Sequence, residues 1–130
     1  MSTELTVLAW GCVLGIVEIV AAAQIGISQY GMAWGMSSRE APTAPPKPFV
    51  GRVMRASKNF LETFPFAVAA ILIVQVGGLN NRWTAIGAIV WLVARIAHWV
   101  VYAMGITVVR TLLFLVSLVG IFMMLWPALF

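Results

Sequence analysis

Long apolar runs are the feature that most restricts how this chain can fold. They cover residues 5–27, 49–76, 83–104 and 107–126, and each reaches the roughly 20 residues with which an α-helix crosses a bilayer. Apolar residues make up 62% of the 130-residue chain, well above the roughly 45–50% that is usual in soluble domains. The mean hydropathy is correspondingly high, at +1.01. The sequence therefore predicts an integral membrane protein.

Turn-forming residues separate the four runs. Residues 35–48, GMSSREAPTAPPKP, are rich in proline and predict the one long loop. Residues 77–82, GGLNNR, predict a tight turn, and Gly105 predicts another. We expect Thr3 to cap the first helix and Pro127 to end the fourth. Because backbone groups in lipid must be satisfied internally, the fold class that we expect is an all-α, four-helix antiparallel bundle, formed as one domain by residues 1–130.

The eight Lys and Arg residues are distributed unevenly along this bundle. All except Arg82 belong to the half on the side of the long loop: Arg39, Lys47, Arg52, Arg55, Lys58, Arg95 and Arg110. By the positive-inside rule, the loop of residues 31–50 is predicted to be cytoplasmic and both termini non-cytoplasmic. The basic residues form no module typical of DNA or RNA readers, so we expect no nucleic-acid partner.

The single cysteine, Cys12, excludes an intrachain disulfide, and no Cys/His cluster predicts a metal site. We expect Cys12 to lie in the core.

Polar residues recur on one face of each of two predicted helices. The second helix carries one such set at spacings of four and three, and the third carries another at spacings of three and four: Arg55, Asn59 and Glu62, then Arg95, His98 and Tyr102. Arg110, just inside the fourth helix, lies in the same half of the bilayer. A buried charge costs about 2.5–3.5 kcal/mol on insertion scales and needs a partner, so we expect Glu62 to pair with Arg55 or Arg95.

Two interpretations of these groups remain open. Internal ion pairs would simply hold the helices together. Alternatively, one carboxylate facing several cations, with Lys58 and His98 nearby, would form a single sheltered site for a small anion that carries carboxylates and an amine. His98 has no second ligand at metal-binding spacing, which favours a hydrogen-bonded interior histidine.

A second carboxylate, Glu18, lies in the middle of the first helix. It shares one face with small residues, which allow helices to approach closely: Gly11, Gly15, Ala22 and Gly26. We expect Glu18 at a packed interface with Arg95 as its partner. A proton-relay role is the alternative.

The string RAxxNxxETFP at residues 55–65, followed by RxxHxxxY at residues 95–102 and an arginine just into the fourth helix, resembles the MAPEG family. This family comprises membrane-associated proteins of eicosanoid and glutathione metabolism. The resemblance covers nearly the whole chain. It implies a homotrimer that holds glutathione, as a co-substrate, between neighbouring subunits near the cytoplasmic side.

The resemblance also assigns roles to residues. It implies a set that binds glutathione: Arg55, Lys58, Asn59, Glu62, Arg95 and His98. It implies that Arg110 stabilises the glutathione thiolate and that Tyr102 orients the sulfur or donates a hydrogen bond to it. Arg39 would reach a glutathione carboxylate on the neighbouring subunit.

Three classes of function follow. The first is a glutathione-binding membrane enzyme of transferase or peroxidase type, acting on a lipophilic electrophile that enters from the bilayer. The second is a non-catalytic membrane protein of the same fold that binds an anionic lipid head group or acts as a scaffold. The third is a channel or transporter, although the sequence lacks the paired broken helices of many transporters.

Overall fold

The computed structural model describes residues 1–41 and 43–130, and all regular elements within these ranges are helical. The helices, in chain order, are α1 (Thr3–Tyr30), α2 (Met32–Gly35), α3 (Pro48–Val76), α4 (Arg82–Met104) and α5 (Thr107–Leu129). Four of them, all except α2, are long and apolar enough to cross a membrane. The predicted all-α, four-span fold class is confirmed.

The helix ends differ from prediction in several places. Ser2, rather than Thr3, caps α1, because its hydroxyl oxygen accepts the backbone N–H of Leu5 at 3.2 Å. Pro127 does not end α5, which continues to Leu129. A proline this close to the end of a helix removes only one late hydrogen bond. The predicted loop begins with the short helix α2, and its Pro42 lies outside the described residues.

The turn between α4 and α5 positions the two helices that matter most below. Gly105 has φ 79°, in the left-handed region that favours glycine, and its N–H bonds back to carbonyls of α4. The Nε of Arg52, near the start of α3, donates to the carbonyl of Ala103 at 2.9 Å. A cation suits this helix end because the helix dipole is negative there. Arg52 therefore ties α3 to the turn.

Within the described residues, α3 and α4 form the centre of the bundle, since α1 and α5 each contact both of them and do not contact each other. The most extensive interface joins α4 to α5. It is closest where the backbones of Gly87 and Gly120 meet: a Cβ on Gly120 would lie 2.7 Å from the carbonyl oxygen of Gly87. Small residues allow this approach.

An aromatic cluster fills the space between α1, α3 and α4. The rings of Phe64 and Trp91 stack with centroids 5.8 Å apart, and Phe60 packs beside both. Gly11 and Gly15 of α1 lie directly against Trp91 and Phe60, respectively. The Gly11 and Gly15 part of the small-residue face predicted for α1 is therefore buried in the core, whereas Ala22 is half-buried.

The outer surface of the bundle is largely apolar, with exposed Trp10, Ile16 and Phe122 among many others. A soluble protein rarely exposes so much contiguous apolar surface, whereas a bilayer solvates it. Cys12 lies on this outer surface, so its expected place in the core is wrong. Gly11, its neighbour, takes the core position.

Candidate functional site

Three helices meet around a cavity of about 210 Å³ in the loop-side half of the bundle. Its lining comes from α3, α4 and α5: Asn59, His98, Tyr102, Arg110, Thr111 and Phe114. The turn at Gly105 brings the start of α5 beside the end of α4. As a result, the guanidinium carbon of Arg110 lies 4.6 Å from the centroid of the Tyr102 ring. This is the geometry of a cation–π contact.

His98 forms the inner wall of the cavity. Its side chain is only 2% exposed, and its ring meets the edge of Tyr102 with centroids 5.5 Å apart. Phe114 packs on another side, with centroids 6.4 Å apart. Within residues 1–41 and 43–130, the Nδ1 atom of His98 has no hydrogen-bond partner. The described residues contain no group of three or more side chains able to hold a metal ion.

Arg95 lies behind the cavity, in the interior of the bundle. It is 1% exposed, and its Nη2 donates to the Oδ1 of Asn59 at 2.9 Å. Its guanidinium carbon lies 5.4 Å from the centroid of the Phe60 ring. Because the oxygen of Asn59 accepts this bond, the amide NH₂ group is left to donate elsewhere. Arg95 therefore acts on the cavity through Asn59.

The remaining residues expected at the site lie outside this cavity. Arg55, Lys58 and Glu62 are all exposed on the outward face of α3. The predicted pairing of Glu62 with Arg55 or Arg95 is wrong for the described part of the chain, where Arg95 bonds to Asn59. The physical reason is the rotation of α3: at about 100° per residue, Glu62 lies about 60° around the helix from Asn59. Asn59 is half-buried at the edge of the inward face, and this rotation leaves Glu62 exposed. One chain alone does not form the single sheltered site that the spacing predicted.

A second cavity, of about 360 Å³, lies between α1, α2 and α3. Its walls include Ile19, Met54 and Leu61, and it also touches the cations Lys58 and Arg39. Arg39 stacks on Trp34 of α2, with its guanidinium carbon 4.9 Å from the ring centroid, so the loop holds this cation beside the cavity. The family resemblance implied only that Arg39 reaches glutathione on a neighbouring subunit, and no feature of the sequence predicted this cavity.

Two lining residues of the first cavity were also missed. Thr111 follows Arg110 directly, and Phe114 lies four residues after Arg110, on the same helical face. The spacings of three and four that group polar residues on α3 and α4 also group Phe114 with Arg110 on α5, so this signal was present in the sequence.

The fold and the site together define a class: a helical membrane protein with four spans and a cationic, aromatic cavity in one half of the bundle. The model of the MAPEG family matches residues 7–130, nearly the whole chain, so this protein belongs to the MAPEG family. No curated protein sequence matches the chain. Family membership confirms the resemblance seen in the sequence and places the chain among membrane proteins of glutathione or eicosanoid metabolism.

Proposed function

We propose that this protein is a glutathione-binding membrane enzyme of transferase or peroxidase type that acts on a lipophilic electrophile. The observation that carries the proposal is the contact of Arg110 with Tyr102 in a cavity that also contains His98 and Asn59. In a MAPEG protein, this combination supplies a cation, a phenol and amide donors at one point.

Arg110 has the position needed to stabilise a thiolate. A nearby cation lowers the pKa of a thiol from about 8.5 and raises the fraction of thiolate at neutral pH. Arg110 also lies in the first turn of α5, where the positive end of the helix dipole adds to its charge. The hydroxyl of Tyr102 donates to the sulfur, and the amide of Asn59 and the ring of His98 bind the peptide. In a transferase reaction, the thiolate forms a C–S bond to the electrophile while the bond to the leaving group breaks, and the leaving group departs with the electron pair. In a peroxidase reaction, the thiolate attacks a peroxide oxygen, the O–O bond breaks and the alcohol leaves with a proton. The thiol of a second glutathione then converts the resulting sulfenic acid to the disulfide and water.

The size of the cavity supports a site completed by a second chain. Its volume of about 210 Å³ falls below the roughly 300–1,000 Å³ of small-molecule sites, so it holds only the cysteine end of glutathione. The rest of the ligand would lie along the exposed charges of α3: Glu62 to take the amine, and Arg55 and Lys58 to take carboxylates. A charged face on a spanning helix needs covering in lipid. We therefore propose a homotrimer, in which Arg39 of a neighbouring subunit adds a further cation.

The second cavity favours a different function. Apolar walls beside Lys58 and Arg39 would suit an acyl chain whose anionic head group sits at the membrane surface. This arrangement supports the alternative of a non-catalytic protein that binds an anionic lipid.

Calorimetric titration of the detergent-solubilised protein with glutathione tests the two functions. We expect binding by the wild type, and in Arg110→Gln a loss of affinity of tenfold or more, equivalent to about 1.4 kcal/mol. The matched control is Arg82→Gln, which removes an exposed cation from the opposite end of the bundle and should bind normally. Turnover is then measured with chlorodinitrobenzene, and native mass spectrometry should show three 14.1-kDa chains.

The same titration identifies the result that would contradict the proposal. Two results together would support the lipid-binding function instead of the enzyme. Saturating glutathione would produce no heat of binding, and phosphatidylglycerol would bind to the wild type but not to Lys58→Gln.

A further inference from the structure

Glu18 is a buried carboxylate that the proposed chemistry does not use. It lies in the middle of α1 and is only 1% exposed. Neither of its oxygens has a hydrogen-bond partner in the part of the chain that the structure describes. An ionisable group at this depth is expensive and normally has a partner of opposite charge. We therefore expect a group of opposite charge near Glu18.

Arg95, from α4, is a cation enclosed in the same part of the interior. Its guanidinium carbon lies 5.4 Å from the centroid of the Phe60 ring, and Gly15, nearly one turn before Glu18, packs against that same ring. Arg95 uses its Nη2 to bond Asn59, while its Nε and Nη1 have no partner among the described residues. Arg95 therefore connects this buried region to Asn59 of α3, which lines the cavity.

This linkage decides which end of the Asn59 carboxamide is available to a ligand. An asparagine side chain offers either a carbonyl acceptor or an NH₂ donor, and its neighbours select the orientation. A guanidinium can only donate, so it takes the carbonyl oxygen. The donor end is then left for the cavity. Arg95 can hold this position in an apolar interior only where a negative charge compensates its own.

We propose that Glu18 is a positioning residue. Its charge retains Arg95 in the interior, and Arg95 in turn orients Asn59 so that the amide NH₂ donates to a ligand carbonyl or carboxylate in the cavity. The statement about the ligand rests on the proposed function, whereas the statement about the orientation of Asn59 does not.

The orientation is tested without any ligand by labelling the protein with ¹⁵N-asparagine. The chain has only three asparagines, at positions 59, 80 and 81, so three side-chain NH₂ signals are expected, and Asn59→Gln identifies the one from Asn59. Removing the charge in Glu18→Gln should displace the Asn59 signal. It should leave the signals of the other two in place.

Glu4 provides a matched control within the same helix. It is the other buried carboxylate of α1, 2% exposed, and accepts a hydrogen bond from Thr84, which forms the capping box with Asn81. Glu4→Gln should therefore move the Asn81 signal and leave that of Asn59 unchanged. An Asn59 signal that stays at its wild-type position in Glu18→Gln would overturn the proposal.

A double variant keeps the test decisive where Glu18→Gln does not fold. Glu18→Leu with Arg95→Met replaces both charges by apolar groups of similar volume, which folded proteins often tolerate. Because Asn59 loses its donor, its NH₂ signal should move in this variant too. An unmoved signal would show that Arg95 does not orient Asn59.

Titration with glutathione then tests the role in binding. Glu18→Gln should weaken binding about tenfold, and Glu4→Gln should not weaken it. A displaced Asn59 signal with unchanged affinity would overturn the role in binding. A wild type that does not bind glutathione, yet shows the displacement in Glu18→Gln, would refute the proposed function and leave the positioning role intact.

Discussion

Arg95 and Arg110 show how one type of side chain takes two roles in adjacent places. Arg95 is enclosed by the bundle and bonds Asn59, so it contacts the lining of the cavity from behind. Arg110 is only half-buried, stacks on Tyr102 and lines the cavity, so its charge is available to a ligand. Burial and partners, rather than residue type, separate the two roles.

The ring of Tyr102 should matter for binding and its hydroxyl for chemistry. Tyr102→Phe retains the ring beneath Arg110, so we expect glutathione affinity to stay within about twofold while turnover falls. Tyr102→Leu removes the ring face and should weaken binding roughly threefold to tenfold, equivalent to about 0.7–1.4 kcal/mol. Calorimetry and the chlorodinitrobenzene assay measure the two effects. Equal affinities for the Phe and Leu variants would show that the cation–π contact does not support the site.

At the scale of helices, the α4–α5 pair is the frame of the cavity. His98 and Tyr102 come from α4 and Arg110 comes from α5, so the spacing between these two helices sets the width of the site. That spacing depends on the backbone contact between Gly87 and Gly120.

A single methyl group at this contact should force the two helices apart. The Cβ in Gly120→Ala would lie 2.7 Å from both the carbonyl oxygen of Gly87 and the backbone nitrogen of Trp91. Overpacking of this kind costs about 1–3 kcal/mol. We expect a corresponding loss of stability in denaturant titrations followed by tryptophan fluorescence, together with weaker glutathione binding.

Gly26→Ala is the control for this prediction, because its Cβ would meet only the Trp34 side chain, at 3.7 Å. It should be as stable as the wild type. If both variants are equally stable, the close approach of α4 and α5 does not limit the packing.

At the scale of the whole molecule, the charges predict how the bundle sits in its membrane. The loop-side half carries every Lys and Arg except Arg82. We therefore expect the loop on the cytoplasmic side and both termini on the other side. The cavity would then open toward the cytoplasmic half of the bilayer.

Cysteine accessibility tests this orientation. In a Cys12→Ala background, a cysteine is introduced either at Ser38 in the loop or at Asn80 in the α3–α4 turn, and both positions are exposed. A membrane-impermeant maleimide applied to intact cells should label Asn80→Cys within minutes and label Ser38→Cys only after permeabilisation. The reverse pattern would invert the topology.

Much of the fold could be predicted because its signals are local. The apolar runs, the glycine at 105 and the proline-rich loop each act over a few residues, and the structure places the spans within a few residues of prediction. Errors occurred where neighbours compete for one position. Ser2 and Thr3 both suit a helix cap, and Cys12 and Gly11 share an apolar run.

The site was only partly predictable. Residue spacing shows which side chains share a helix face, but it does not show whether that face points into the bundle or outward. Lys58 and Asn59 are adjacent in sequence, but successive side chains of a helix point about 100° apart, and these two line different cavities. The motif therefore identified the polar residues without showing which of them meet.

The sequence by itself determined that the chain forms four membrane spans, and it identified the half of the bundle in which the polar groups lie. Hydropathy, charge and turn-forming residues are properties of short segments, so these features can be identified without any long-range contact. Only the tertiary structure decided that Arg95 bonds Asn59 instead of Glu62 and that Arg110 stacks on Tyr102. The rotation of each helix about its own axis depends on packing against its neighbours, and no stretch of the sequence specifies that rotation alone.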